Sequence, residues 1–297
     1  AWDIAAFTTF LSCFTKLAVK SSSAAKLFNA VHKAQVSWKR VKPLLGQPRQ
    51  AEKTAIAPAA PLKVTDLGFA YPEGAPIFEG LSFSAKPGQI IGVTGPVACG
   101  KSTFGRTFLC EYPYTGHIRF GGAELVLLPE AARRGTVGYL GHDPELFDDS
   151  VKNNVLLGAR EDCEPYLKAV CLDREAAAMA QGTDTVVGSS GVRLSGGQAQ
   201  RLALARTLCH RRPVLVLDDP FSALDKTTER QVFENLRAMA SDSVVILISH
   251  RLYLFPELDG IIWMENGKTK TGTHETLMKD VPEYARLYRE QEGGTEA

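Results

Sequence analysis

The chain has 297 residues, 44% of them apolar and 23% charged, with 34 Lys and Arg against 33 Asp and Glu. This globular composition excludes an intrinsically disordered chain, a collagen-like fibre and a small disulfide scaffold. The balanced charge hides a split: residues 1–50 carry eight basic residues against Asp3 alone, a net of +7, leaving −6 for the rest.

Residues 4–14 (IAAFTTFLSCF) are mostly apolar, but a spanning helix needs roughly 20 apolar residues, so this stretch does not cross a bilayer alone. It reads either as the cytoplasmic end of a spanning helix or as part of a soluble one. From Lys16 to Leu45 there is no Gly and no Pro before Pro43. Leu17, Leu27, Phe28, Val31, Ala34, Val41 and Leu44 predict a long amphipathic helix. Its basic residues fit the positive bias of juxtamembrane segments, and a solvated basic face explains them as well. The chain opens on Ala1, which reads as a fragment or a processed product. No basic stretch precedes the apolar run, so no signal peptide is expected.

Gly46, Pro48, Pro58 and Pro61 mark residues 46–61 as a linker. Strand-like runs follow at Leu62–Tyr71, Ile77–Ala85, Ile90–Thr94, Thr136–Leu140, Val214–Leu217, Val244–Ile248 and Gly260–Met264. Helix-length segments lie at Lys101–Leu109, Gly197–His210 and Lys226–Met239. Apolar runs feeding into helices predict a parallel α/β core. The alternating early strands and their close turns predict an antiparallel layer, and Ser150–Gln181 reads as helical. The six cysteines form no C-x-x-C pair and read as reduced cytosolic thiols.

Gly95-Pro96-Val97-Ala98-Cys99-Gly100-Lys101-Ser102 fits G-x-x-x-x-G-K-[ST] between a predicted strand and a predicted helix. Glycines there let backbone N–H groups wrap an anion, and the helix start adds a positive end. Lys101 is expected to reach the β- and γ-phosphates of a nucleotide, and the Ser102 hydroxyl to ligate Mg²⁺. Four apolar residues, Val214–Leu217, then deliver Asp218 and Asp219 at a strand end, where α/β sites sit. Asp218 is expected to hold the Mg²⁺ through water, and Asp219 to orient an attacking water.

Between these elements lies Leu194-Ser195-Gly196-Gly197-Gln198. This pentapeptide resembles the signature of ABC ATPases, and the flanking motifs follow that family's order. Tyr71 resembles the aromatic residue that stacks on adenine. Ser222-Ala223-Leu224-Asp225 resembles the D-loop, His250 the switch histidine, and Gly272-Thr273-His274-Glu275 the family's C-terminal element. The resemblance covers Leu62 to about Arg289. It implies an α/β fold: a P-loop NTPase (RecA-like) core, an antiparallel β subdomain and an α-helical signature subdomain, preceded by a long N-terminal helix. The implied ATP-binding domain is 62–291, with a tail at 292–297.

The resemblance further implies ATP and Mg²⁺ as cofactors. Tyr71, the loop Gly95–Ser102, Thr103 and His142 would bind nucleotide; Ser102, Asp218 and His142 would hold the metal; Asp219 and His250 would act in catalysis. Two such domains would dimerise head to tail, so that Ser195, the Gly196 and Gly197 amides and the helix dipole face an ATP on the partner's phosphate loop. Residues 1–45 then resemble the end of the last transmembrane helix of an exporter. That implies a transmembrane partner domain and a location at the cytoplasmic face of the plasma or inner membrane, with no nucleic acid involved.

Three positions depart from the family pattern. Asp219 stands where Glu is usual, His142 where the Q-loop carries Gln, and Ser189 where a Glu contacts the transmembrane loops. An Asp carboxylate sits about 1 Å or more further back, and such misplacement can cost about 10²-fold in rate. The expectation is a slow, degenerate ATP site on this chain's own loop, with an intact signature completing a faster site on a partner. A regulatory, essentially non-hydrolysing subunit remains the alternative.

Overall fold

A computed structural model describes residues 3–42, 57–72, 74–143, 145–188 and 191–293. Most of the expected linker and the departure at Ser189 lie outside the described residues. Contacts divide the chain into two units, residues 1–53 and 54–297.

In the first unit, helix α1 (Ile4–Val41) runs unbroken through both the apolar and the basic stretch. Asp3 caps it by accepting from the Ala5 amide at 3.0 Å, and Lys39 and Arg40 lie in the last turn, where the helix dipole favours cations. The helix is about 57 Å long. Phe7, Phe10, Leu11, Phe14 and Leu17 are exposed on it. Among the described residues, no helix is long and apolar enough to cross a membrane.

The second unit begins with strands β1 (Leu62–Ala70), β2 (Pro76–Ala85) and β3 (Ile90–Thr94), then α2 (Lys101–Thr107), β4 (Thr115–Phe120), β5 (Ala123–Glu124), α3 (Glu130–Thr136) and β6 (Val137–Leu140). A helical region follows: β7 (Asp149–Ser150), α4 (Val151–Leu156), α5 (Glu164–Ala169), α6 (Asp173–Ala177), β8 (Val186–Val187) and α7 (Gly196–Cys209). The chain closes with β9 (Val214–Asp218), α8 (Lys226–Met239), β10 (Val244–Ile248), β11 (Gly260–Glu265), β12 (Lys268–Gly272), α9 (His274–Asp280) and α10 (Pro282–Gly293).

The central sheet has the order β12-β11-β3-β10-β9-β6 and is parallel except for β12, which pairs antiparallel with β11. Every residue of β3, β9 and β10 is buried, as strands covered on both faces require. Side-chain alternation sends Leu215, Leu217, Val245 and Leu247 into one core beneath α4, α5, α7 and α8. Val214, Val216, Ile246 and Ile248 face a second core with α2 and the antiparallel sheet β2-β1-β4-β5. Phe104 and Phe108 of α2 are fully buried there, so this short helix is anchored between the two sheets.

The expected antiparallel layer and parallel core are both present. Ser150–Gln181 is not one helix. Ser150 sits in a two-residue strand, and three short helices are separated by left-handed backbone at Leu157 (φ 46°) and Cys171 (φ 54°). A left-handed residue cannot continue a right-handed helix, so the segment breaks there.

Candidate active site

At the C-terminal end of β3 the chain turns through Gly95 and Gly100, both with positive φ (153° and 100°). A Cβ on Gly95 would run into the Met264 carbonyl, and one on Gly100 into the Ile77 side chain. Only glycine satisfies both the backbone conformation and the space at these two positions. The loop they bound carries exposed Pro96, Val97 and Ala98. Among the described residues, no backbone carbonyl accepts a hydrogen bond from the amides of Val97, Ala98, Cys99 or Gly100. A strand-to-helix loop presenting open N–H groups fits a phosphate chain.

Lys101 opens α2 and is buried. Its Nζ donates to the Gly95 carbonyl at 2.9 Å and the Pro96 carbonyl at 2.8 Å, which curls the ammonium inside the loop. Cys99 Sγ lies 3.7 Å from the same nitrogen. Burial nevertheless raises the thiol's pKa, with Lys101 opposing, so Cys99 is a protonated thiol and not a reactive thiolate. Ser102 is exposed beside it. The Tyr71 ring stands edge-on to Phe69 (5.0 Å, 88°) and to Tyr112 (5.7 Å, 77°), and its hydroxyl is 3.4 Å from Thr103 Oγ1. Tyr71 is exposed, so a face of this aromatic group is open to a base next to the phosphate loop.

Asp218 ends β9, buried, and accepts a hydrogen bond from the Tyr139 hydroxyl at 3.3 Å. Burial first, then the Asp218 charge, pushes the Tyr139 phenol up to about 12, so the phenol stays a donor. Asp219 adopts φ 52°, a left-handed conformation that Asp tolerates better than most residues. Its amide donates to Ile248 O at 2.9 Å, and Gln200 Nε2 donates to its carbonyl at 3.4 Å. Burial raises the Asp219 carboxyl's pKa, while His250 and His142 oppose the rise. His142 Nδ1 lies 3.8 Å from Asp219 Oδ2. Burial and the Lys101 charge lower the pKa of His250, and Asp219 and Asp218 act the other way.

The fold thus brings Lys101, His142, Asp218, Asp219 and His250 within electrostatic reach of one another at the C-terminal edge of β3, β6, β9 and β10. A cation, a carboxylate pair and two imidazoles beside an open amide loop can bind polyphosphate, hold a divalent cation and position a water.

Leu194–Gln198 stands apart from that loop. Ser195 caps α7 in a reciprocal box: its Oγ accepts from the Gln198 amide at 3.3 Å, and its own amide donates to Gln198 Oε1 at 2.9 Å. Gln198 Nε2 and Arg201 Nη2 hold Glu175 at 2.7 and 2.6 Å. A Cβ on Gly197 would sit 2.8 Å from the Ala223 carbonyl, so this glycine is needed where α7 meets the loop Ser222–Asp225. A Cβ on Gly196 would meet nothing within 4 Å. The chain's own packing does not require Gly196.

Residues the sequence reading left out, together with Asp225 of the expected D-loop, support this site. Arg251 donates to the carbonyls of Leu224 (2.6 Å) and Ser222 (2.9 Å) and to Glu229 Oε2 (2.6 Å), tying the loop after β9 to the segment after β10. Asp225 caps α8 by accepting from the Thr227 and Thr228 amides at 3.0 Å. Tyr139 lay inside the segment already singled out, whereas Glu229, Gln200 and Arg251 fall in no motif that signals their role. His274 lies outside the site: its Nδ1 pairs with the buried Tyr284 hydroxyl at 2.7 Å, joining α9 to α10.

Residues 78–222 match the family described as ABC transporter. The chain is 33% identical over 276 residues to the multidrug resistance-like ATP-binding protein MdlA of Escherichia coli, covering 90% of this chain and 47% of that protein. The chain belongs to the ABC transporter family. This ABC transporter chain is also 33% identical over 262 residues to the ATP-dependent lipid A-core flippase of Burkholderia thailandensis, covering 84% of this chain and 44% of that one. Its fold matches the structure of a bacterial Atm1-family ABC exporter with ATP bound. The TM-score is 0.81 at 27% identity, over 94% of this chain and 51% of the exporter chain. The chain spans about half the length of the relatives it matches. An ABC transporter's ATP-binding domain accounts for the α/β architecture and for the phosphate loop, the carboxylate pair and the separate capped helix α7.

Proposed function

We propose that this chain binds and hydrolyses ATP as the nucleotide-binding part of an ABC exporter. It pairs with a second such domain and couples to a transmembrane domain at the cytoplasmic face of the plasma or inner membrane. In this reading residues 1–45 end the last transmembrane helix, 46–61 link, 62–291 form the ATP-binding domain and 292–297 are a tail. The observation that carries it is the gathering of Lys101, Asp218, Asp219 and His250 around a loop of open amides.

The N–H groups of the loop Gly95–Gly100, which Pro96 itself lacks, bind the phosphates with Lys101 and Thr103, and Tyr71 offers an aromatic face to the adenine. Ser102, Asp218 and His142 would hold Mg²⁺, which when bound screens the phosphate charge and favours attack at phosphorus. Asp219 orients the attacking water, and His250 contacts the nucleotide's terminal phosphate. Across the dimer, Ser195, Gly196, Gly197 and Gln198, with Leu194 beneath them, face the partner's ATP. The open space at Gly196 supports that role, because among the described residues nothing fills it.

The site on this chain's own loop is slow. The Asp219 carboxylate is one methylene shorter than the usual Glu and faces His142 at 3.8 Å. That same pairing favours a second reading, a regulatory site that binds ATP without turning it over, in a heterodimer whose partner carries the full Glu. Nucleotide trapped at the Lys101 loop during turnover separates the two. The proposal expects ADP at that loop, and ATP alone would leave the regulatory reading.

A further inference from the structure

His250 stands in a segment that lacks regular structure. After β10 ends at Ile248, no helix or strand resumes until the turn beginning at Phe255. Upstream, the Ser249 amide donates to Val93 O at 3.1 Å; downstream, the Phe255 amide donates to Leu252 O at 2.9 Å. The five residues between Ser249 and Phe255 include His250, whose imidazole lies within electrostatic reach of Lys101, Asp218, Asp219 and His142.

A side chain 41 residues away spans that gap. Gln291 Nε2 donates to the His250 carbonyl at 2.8 Å, and Gln291 Oε1 accepts from the Leu252 amide at 2.8 Å. One carboxamide therefore pairs with the backbone on both sides of residue 251, as a strand's peptide group would. Arg251, held between these two bonds, reaches Ser222 O, Leu224 O and Glu229. Gln291 itself is fixed from behind. Helix α10 is seated by the fully buried Tyr284, which packs edge-on against Trp263 at 5.7 Å and bonds His274 at 2.7 Å.

We infer that Gln291 is a positioning residue for His250: its carboxamide clamps the backbone that carries the imidazole, and the docking of α10 sets the clamp. This rests on the reading of His250 as a residue that acts on bound ATP. It also gives the Gly272–Glu275 element a purpose, since His274 seats the helix that holds the clamp.

The test uses the full chain with Gln291→Leu, which keeps the bulk and removes both bonds, and Gln291→Glu, which can accept from Leu252 but cannot donate to His250. Single-turnover hydrolysis of Mg·ATP and ATP affinity are measured for each, alone and in a His250→Ala background. Hydrogen exchange at the Leu252 amide is followed in parallel. Gln291→Leu is expected to release that amide to exchange and to slow hydrolysis about tenfold or more, with ATP affinity within about twofold. Gln291→Glu is expected to keep the Leu252 protection and still lose rate. In the His250→Ala background, Gln291→Leu adds no further loss, because both changes remove the same contribution. A wild-type rate in Gln291→Leu, or a full additive loss in the His250→Ala background, overturns the clamp. A wild-type rate in His250→Ala overturns the role of His250 itself, which separates that failure from failure of the clamp alone.

Discussion

Gly196 and Gly197 are neighbours in sequence with opposite constraints. At Gly197 a methyl group would press on the Ala223 carbonyl at 2.8 Å, whereas at Gly196 it would enter open space. Overpacking costs roughly 1–3 kcal/mol, while Gly→Ala in a helix gains roughly 0.5–1 kcal/mol. Thermal unfolding should therefore show Gly197→Ala destabilised and Gly196→Ala at or above wild type. Hydrolysis should fall in both variants, because at Gly196 the added methyl blocks a nucleotide from outside the chain. Equal loss of stability at the two sites would remove the argument that Gly196 is kept for a ligand.

Between the two loops that flank the carboxylates, the part-exposed Arg251 pairs with the buried Glu229. Glu229 is fully buried, and among the described residues its Oε1 has no hydrogen-bond partner. Burial raises its carboxyl pKa, with Arg251 opposing. A carboxyl whose folded pKa lies above its unfolded value is favoured neutral in the folded state. The stability it contributes is present below the unfolded value, ordinarily about 4.3, and is lost as pH rises through the folded value. Glu229→Gln, which does not titrate, should gain stability relative to wild type as pH rises through this window in paired denaturant titrations. A constant difference across pH would show that Glu229 keeps its ordinary pKa. Arg251→Ala should cost more than Glu229→Gln, because it leaves a buried carboxyl without its Arg partner and frees two loop carbonyls.

The secondary elements read most sharply from sequence are two fully buried strands and one capped amphipathic helix. Strands β3 and β10 and helix α8 begin and end where the residues predict, since apolar runs or clear capping residues set their limits. Strands β4 (TGHIRF) and β12 (KTKTG) went unread, because a strand with one wet face can be polar along most of its length. The breaks at Leu157 and Cys171 carry no Gly or Pro at the turning residue itself. Motifs marked the residues proposed to carry the chemistry, Lys101, Asp218, Ser195 and His250. Arg251 and Gln291 were not, because they bond backbone carbonyls and amides 27 to 41 residues away, and those partners leave no mark on side-chain pattern.

At the scale of the whole chain, the +7 and −6 charge split coincides with the two units: a basic helix with exposed Phe7, Phe10 and Phe14, and an α/β body. In the proposed reading, a membrane suits the surface of the first part and a nucleotide that of the second. The family relation makes ATP the natural ligand, and the departures at Asp219 and His142 make the rate the open quantity. The central claim is that this chain's own site hydrolyses ATP and is slow because Asp219 falls short. Steady-state ATP hydrolysis by the full chain, wild type against Asp219→Glu, tests it most directly. The account predicts a measurable wild-type rate that rises about tenfold or more in Asp219→Glu, within the roughly 10²-fold that such misplacement can cost. An unchanged or lower rate in Asp219→Glu would contradict it.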